Sequence, residues 1–246
     1  MDATTVGALA ILFAIAAALY SSVGHGGASA YIAAMALFSV APETMKPTAL
    51  ALNLLVAGFG AWRYWRRGLT NWRLLAAFAL TATPAAFIGG GIHLPATYYE
   101  PLVGVLLWLA AARLLWQPIV LAGRPVERPS LWLTLPAGAV LGLLAGLTGT
   151  GGGIFLSPLI ILMAWEEPRR TSGVASAFIF LNSAGGLAGS AASVGHLPHE
   201  LPIFLAAVAL GAMLGTWLGV ERLPRPWLLR TLGVVLLVAG AKLLFA

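Results

Sequence analysis

The sequence has no cysteine among its 246 residues. That excludes a disulfide framework, thiolate chemistry and cysteine-ligated metal. Charge is scarce too. Asp, Glu, Lys and Arg make up 9% of the chain, against 60% hydrophobic residues, where a soluble domain carries roughly a quarter charged residues. The long apolar runs contain no Asp or Glu; all eight acidic residues map to termini or loops. Hydrolase and metalloprotease signatures are missing as well: there is no G-x-S-x-G, no H-E-x-x-H and no acidic pair within a run. His25 and Ser29, four positions apart, could share a helix face as a hydrolase pair, but nothing else in the sequence supports them. The chain reads as a non-enzyme.

What is present is apolar sequence, in stretches that approach or exceed the ~20 residues needed to cross a bilayer. This predicts an all-α polytopic membrane protein. The net charge of +6 sits in short loops between apolar runs, the pattern of cytoplasmic loops rather than of a nucleic-acid surface. The first run lacks a basic leader, with Asp2 its only early charge, and reads as mature structure.

Five segments fill the first half, at about 6–22, 28–40, 47–62, 73–90 and 101–117. A polar connector from Gln117 to Ser130 carries Pro118, Pro125 and Pro129. The plan then repeats at about 131–147, 154–164, 173–192, 202–220 and 227–245. The division is 1–118, a connector at 119–130, and 131–246. Residues repeat as well as hydropathy: Gly24-x-Gly26-Gly27 matches Gly149-x-Gly151-Gly152, Leu94-Pro95 matches Leu223-Pro224, Gly104-Val105 matches Gly233-Val234, and Arg113-Leu114-Leu115 matches Lys242-Leu243-Leu244.

Loop charge sets orientation. Arg63, Arg66, Arg67 and Arg73 place the loop after segment three inside, with Arg124 and Arg128, Arg169 and Arg170, and Arg222 and Arg225. Only Lys46 and Lys242 are left outside. The loop after the second segment is then outside in half one and inside in half two, so the halves are inverted. Segments 28–40 and 154–164 are short for a crossing at 1.5 Å per residue. Each pairs with its predecessor as a re-entrant hairpin or as two short spans, with the glycine break at the tip. Pro84 and Pro158 fall within spans and predict kinks. Glycines spaced four apart, Gly138-Gly142-Gly146, Gly185-Gly189 and Gly211-Gly215-Gly219, predict close helix packing.

The two glycine breaks carry the functional signal. Backbone freed from a helix in hydrocarbon must find partners, so such breaks occur where they line a cavity or pack inside protein. With no carboxylate in the spans, a cation would have only carbonyls and hydroxyls, whereas half-helix N-termini offer N–H donors and positive dipole ends to an anion. The candidate substrate-binding residues are Gly24, His25, Gly26 and Gly27; Gly149, Thr150, Gly151, Gly152 and Gly153; and Asn53, Asn182 and Ser183. Asn182 reads equally as site or interhelical glue; Asn53 and Ser176 read more readily as glue. His25, the one ionisable side chain expected near the centre, is a substrate contact or proton acceptor, or a neutral histidine on a backbone carbonyl. Lys46 and Arg170 flank the segments leading to the asparagines, as anion attractors or topology anchors. His93, His196 and His199 match no zinc spacing; no metal or cofactor is implied. Trp62, Trp65, Trp72, Tyr98 and Tyr99 fit an interfacial aromatic belt.

These residues resemble a known family. Val23-Gly24-His25-Gly26-Gly27 is similar to the V-G-x-G-G-G signature of the TauE/SafE sulfite exporter family, the TSUP group of 4-toluene-sulfonate-uptake-type transporters, and Gly149-Thr150-Gly151-Gly152-Gly153 fits it fully. Arg170-Thr171-Ser172-Gly173-Val174-Ala175-Ser176, ending in Leu181-Asn182-Ser183, resembles the family's R-A-x-G-T-S run ending in L-N-S. Tyr64-Trp65-Arg66-Arg67-Gly68 with Asn71-Trp72 resembles its Y-R-R-G-x-x-D-W loop. The resemblance implies secondary transport of small sulfur-containing anions, often efflux of sulfite or sulfonates, across the bacterial inner membrane. His25 and Ala28 depart from the first motif, and Val174-Ala175 replaces two hydroxyl residues. The sequence thus points to a multi-pass exporter working by alternating access, with an anion and the lipid bilayer as partners, a homodimer as a possibility and no nucleic acid. A passive channel, a carrier of another organic anion and a non-transporting scaffold remain the alternatives.

Overall fold

The computed structural model describes residues 2–22, 24–115, 126–127, 129–191, 197–219 and 225–245. Most of the connector, with Pro118, Arg124, Pro125 and Arg128, lies outside the described residues, as do Val23, His196, Arg222 and Leu223-Pro224. Among the described residues there is no strand, and ten helices form: α1 (Ala3–Ser22), α2 (Ala28–Leu37), α3 (Pro42–Arg66), α4 (Trp72–Gly91), α5 (Ala96–Leu115), α6 (Leu131–Thr148), α7 (Gly153–Leu162), α8 (Pro168–Gly189), α9 (Leu201–Gly219) and α10 (Arg225–Phe245). Four of them, α1, α4, α6 and α8, are long and apolar enough to cross a membrane. Their outward faces carry large apolar side chains in the open, such as Ile11, Leu80, Ile88 and Val140. In water such a surface would drive aggregation; in a bilayer it is the solvated face.

The helices pair as α4 on α6, α1 on α9, α5 on α10 and α3 on α8, with α8 also on α4 and α3 on α9. Small residues set how closely they approach. A Cβ at Gly142 or Gly146 would fall on the carbonyl oxygen of Ala82 or Ala86 across the α4–α6 contact. Gly211 and Gly215 stand in the same relation to the carbonyls of Ala14 and Ala18 in α1, and Gly189 to that of Phe87. These glycines pack backbone on backbone, as their spacing predicts, which matters where lipid supplies no hydrophobic drive between helices. Pro84 and Pro158 lie inside α4 and α7, which run on through them.

The two ten-residue helices are built alike. The step of 125 positions from Gly24 to Gly149 also carries Ser39 to Ala164, and all four have positive φ. Thus α2 and α7 each follow a left-handed glycine and end just before a left-handed residue that turns the chain away. Ser39 and Ala164 are the only non-glycine residues in this conformation among those described, a strained choice for a residue with a Cβ.

Candidate site at two glycine breaks

Helices α3 and α8 cross antiparallel. Gly60 faces Ser176, Gly58 faces Phe180, and Leu50 faces Gly186. In the middle of this contact the Asn53 amide nitrogen donates to the Ser183 hydroxyl at 3.3 Å. Asn53 and Ser183 are 1% and 0% exposed.

Both glycine breaks come to this pair. A Cβ at Gly26 would fall on the amide oxygen of Asn53, and one at Gly151 on its amide nitrogen, 3.4 Å from the Ser183 hydroxyl. The Asn53 amide is therefore wedged between the two breaks, and no larger residue fits at either. Gly153 is closed off by Ile179 and Gly152 by Phe178, Ala145 and the Leu141 carbonyl. At the first break the Ser176 hydroxyl donates to the Gly24 carbonyl at 2.5 Å, so Ser176 ties α8 to the break. At the second, Thr148 and Thr150 share a hydroxyl hydrogen bond of 3.0 Å, and the Tyr99 hydroxyl donates to the Thr148 carbonyl at 3.1 Å.

Helices α2 and α7 both begin here, with Gly27 and Gly152 as N-caps and no side-chain hydrogen bond to either cap. Ala30 and Tyr31 N–H already donate to the Gly27 carbonyl, and Phe155 and Leu156 N–H to that of Gly152, which leaves the first two N–H groups of each helix without a partner in their own helix; the helix dipole makes this end positive. The Asn53 oxygen has no hydrogen-bond partner, and neither do the Asn182 oxygen and nitrogen, although Asn182 is fully buried. Asn182 lies one helical turn beyond Phe178 and Ile179, the side chains against Gly152 and Gly153. Buried polar atoms are nearly always paired, so these unpaired amide atoms make the surroundings of the two breaks the candidate site. Side chains of both acidic types are absent from it, which suits an anion.

His25 is half-buried in the first break, and its backbone N–H donates to the Tyr20 carbonyl at 2.9 Å. His93 and His199 are exposed. Two readings need correction. Tyr99 is not interfacial: Tyr98 is 69% exposed but Tyr99 only 3%, because neighbours on a helix point about 100° apart. Lys46 does not present its charge to an anion. Its ammonium is buried against the end of α4, donating to the carbonyls of Gly90 at 2.7 Å, Ile92 at 3.0 Å and Gly89 at 3.3 Å. Lys242 does the same for α2, donating to the Leu37 carbonyl and the Ser39 hydroxyl, each at 2.9 Å. A cation at a helix C-terminus satisfies orphan carbonyls and the dipole together. Replacing Lys46 by methionine keeps its apolar stem and removes this cap; the expected loss is about 2 kcal/mol, or roughly 4–8 °C in thermal midpoint. Heating the purified variant beside the wild type in detergent checks this, and an unchanged midpoint refutes the cap.

Two recesses are found among the described residues. One, of about 420 Å³, is lined by Glu43, Lys46, His93, Tyr99 and Leu147. The other, of about 670 Å³, is lined by Asn71, Arg73, Glu127, Glu166 and Arg170, and Asn71 there donates to the buried Glu166 carboxylate at 2.6 Å. They lie at opposite ends of α4, a helix of 20 residues and so about 30 Å long.

An apolar exterior and helices long enough to cross a bilayer mark a multi-pass membrane protein, and the family it matches makes it a membrane transporter rather than an enzyme. The chain belongs to the sulfite exporter TauE/SafE family, which it matches over residues 9–243. It is 40% identical, over the full length of both chains, to "Probable membrane transporter protein y4hK" of Sinorhizobium fredii. It is 26% identical to "Probable membrane transporter protein YjnA" of Bacillus subtilis, covering 92% of this chain and 95% of that one. No solved structure matches the chain significantly.

Proposed function

We propose that this protein is a secondary transporter that exports small sulfur-containing anions, such as sulfite or organosulfonates, across the bacterial inner membrane by alternating access. The observation that carries the reading is the meeting of both glycine breaks at the single amide of Asn53. The anion is held there by the first-turn N–H groups of α2 and α7, the amides of Asn53 and Asn182 and the Ser183 hydroxyl, with His25 and Thr150 at the edges.

The halves 1–118 and 131–246, joined by the connector at 119–130, act as inverted repeats. The packing supports this. Exchanging α1 to α5 for α6 to α10 turns the α4–α6 contact into α9–α1 and the α4–α8 contact into α9–α3, and all four contacts occur. An inverted pair gives a site at the interface two equivalent routes out, one per side. The two recesses at the ends of α4 are the beginnings of those routes, with α2 and α7 as re-entrant helices beneath them.

Sulfite counterflow in proteoliposomes tests the proposal. Saturable exchange of sulfite or a small sulfonate is expected. Flux that rises linearly with concentration and shows no counterflow would mean a passive channel, and no movement of any sulfur anion through folded protein would overturn the assignment.

A further inference from the structure

We infer that the hydroxyl of Tyr31 is a direct ligand of the transported anion; this rests on the transporter reading above and adds a residue to it. Tyr31 is the fourth residue of α2. Helical side chains lean toward the N-terminus, which lays this phenol over Gly27, the N-cap one turn back. The hydroxyl oxygen lies 2.5 Å from where a Cβ on Gly27 would be. The ring is fully buried and held edge-on to Phe13, with centroids 5.3 Å apart.

The other two buried tyrosines have partners. Tyr20 shares a 2.7 Å hydrogen bond with Ser29, and Tyr99 donates to the Thr148 carbonyl. Tyr31 has none. A buried hydroxyl without a partner costs free energy that phenylalanine at the same place would not. The unpaired hydroxyl sits at the mouth of α2, whose N-cap offers no side-chain hydrogen bond. The unpaired oxygen of Asn53 lies against the adjacent Gly26. A phenol is protonated at neutral pH and donates, so the group it awaits is an acceptor such as an oxyanion.

The second half has no such donor. The fourth residue of α7 is Leu156, also fully buried. The site is therefore lopsided, and the anion binds nearer α2 than α7.

The test is Tyr31→Phe in the full-length chain, beside the wild type and Asn53→Ala. Thermal midpoints are read without anion, and KM and Vmax are read for sulfite counterflow. The expected result is a midpoint equal to or above wild type, with KM raised about tenfold, the loss of one hydrogen bond to a charged group. A KM within twofold of wild type while Asn53→Ala is inactive would overturn the role of Tyr31 and leave the transporter reading standing. A midpoint several degrees lower would also overturn it, because the hydroxyl would then have a structural partner. Absence of saturable anion exchange in the wild type would overturn both.

Discussion

Asn53→Ala is expected to cut the initial rate of sulfite exchange about 100-fold while the protein still reaches the membrane folded. Asn53 touches both glycine breaks and also bonds α8 through Ser183. Truncation removes its contact with a charged guest and loosens the spacing of the two helix N-termini. A lost hydrogen bond to a charged group weakens binding by about 1.5–3 kcal/mol, and every 1.4 kcal/mol is about tenfold. Folding is spared because the close backbone contacts of α4 with α6 and of α1 with α9 lie elsewhere. Asn53→Asp sharpens the argument. It keeps the shape but sets a negative charge against an anion, so it too should be inactive. Exchange rates of reconstituted variants, normalised to folded protein by size-exclusion profile, decide the matter; a rate within threefold of wild type for either variant removes Asn53 from the site.

Gly151→Ala has the second largest expected effect. Gly151 has φ +73°, and its Cβ would strike the Asn53 amide nitrogen. Two costs combine: about 1–2 kcal/mol for a left-handed non-glycine residue, and the displacement of Asn53 from between the breaks. The first can be isolated. Gly68 has φ +66° with nothing near its Cβ position, so Gly68→Ala carries the backbone cost alone. Both variants should lose thermal stability, and only Gly151→Ala should lose transport, by more than about tenfold in line with the Asn53 contact it disrupts. Equal transport in the two would show that the collision at Gly151 has no functional weight.

The apolar pattern located all ten helices, with α4, α6 and α9 matching to within a residue, but misjudged the ends of others for an identifiable reason. Hydropathy marks the part of a helix in lipid, whereas hydrogen bonding defines the helix. Helix α3 runs from Pro42 to Arg66, well beyond the apolar stretch 47–62, because Lys46 is neutralised by the end of α4 and the terminal arginines reach water. Helix α5 starts at Ala96 and carries Pro101 inside it; its first residues include the polar Thr97 and Glu100, which a hydropathy pattern does not count as part of the run. The starts of the short helices were legible to within one residue, because glycines fix where α2 and α7 begin, but both end before the apolar runs 28–40 and 154–164 do, at Leu37 and Leu162.

The candidate site was half legible. Both breaks stand out as interruptions of apolar runs, and the close-packing glycines announce themselves by spacing. Which polar residue joins the breaks was not visible. Asn53 and Ser183 are 130 positions apart, and only the crossing of α3 with α8 brings them together; Asn53 does bond the two helices, as the glue reading expects, and it also stands between the breaks. Tyr31 gave no signal either, as an aromatic in an apolar run is ordinarily core. Lys46 reads as a flanking charge until α4 is seen to end on it.

The absence of cysteine makes the central claim directly measurable. Ser183→Cys introduces the single thiol of the chain at the meeting point of the two breaks. Labelling with a membrane-impermeant thiol reagent, applied from each side in turn, reports whether that point opens both ways. The account predicts reaction from both faces and protection from both by a small organosulfonate, which unlike sulfite does not itself consume thiol reagents. Reaction from one face only, or labelling that the sulfonate does not slow, would contradict a single anion site served alternately from the two sides.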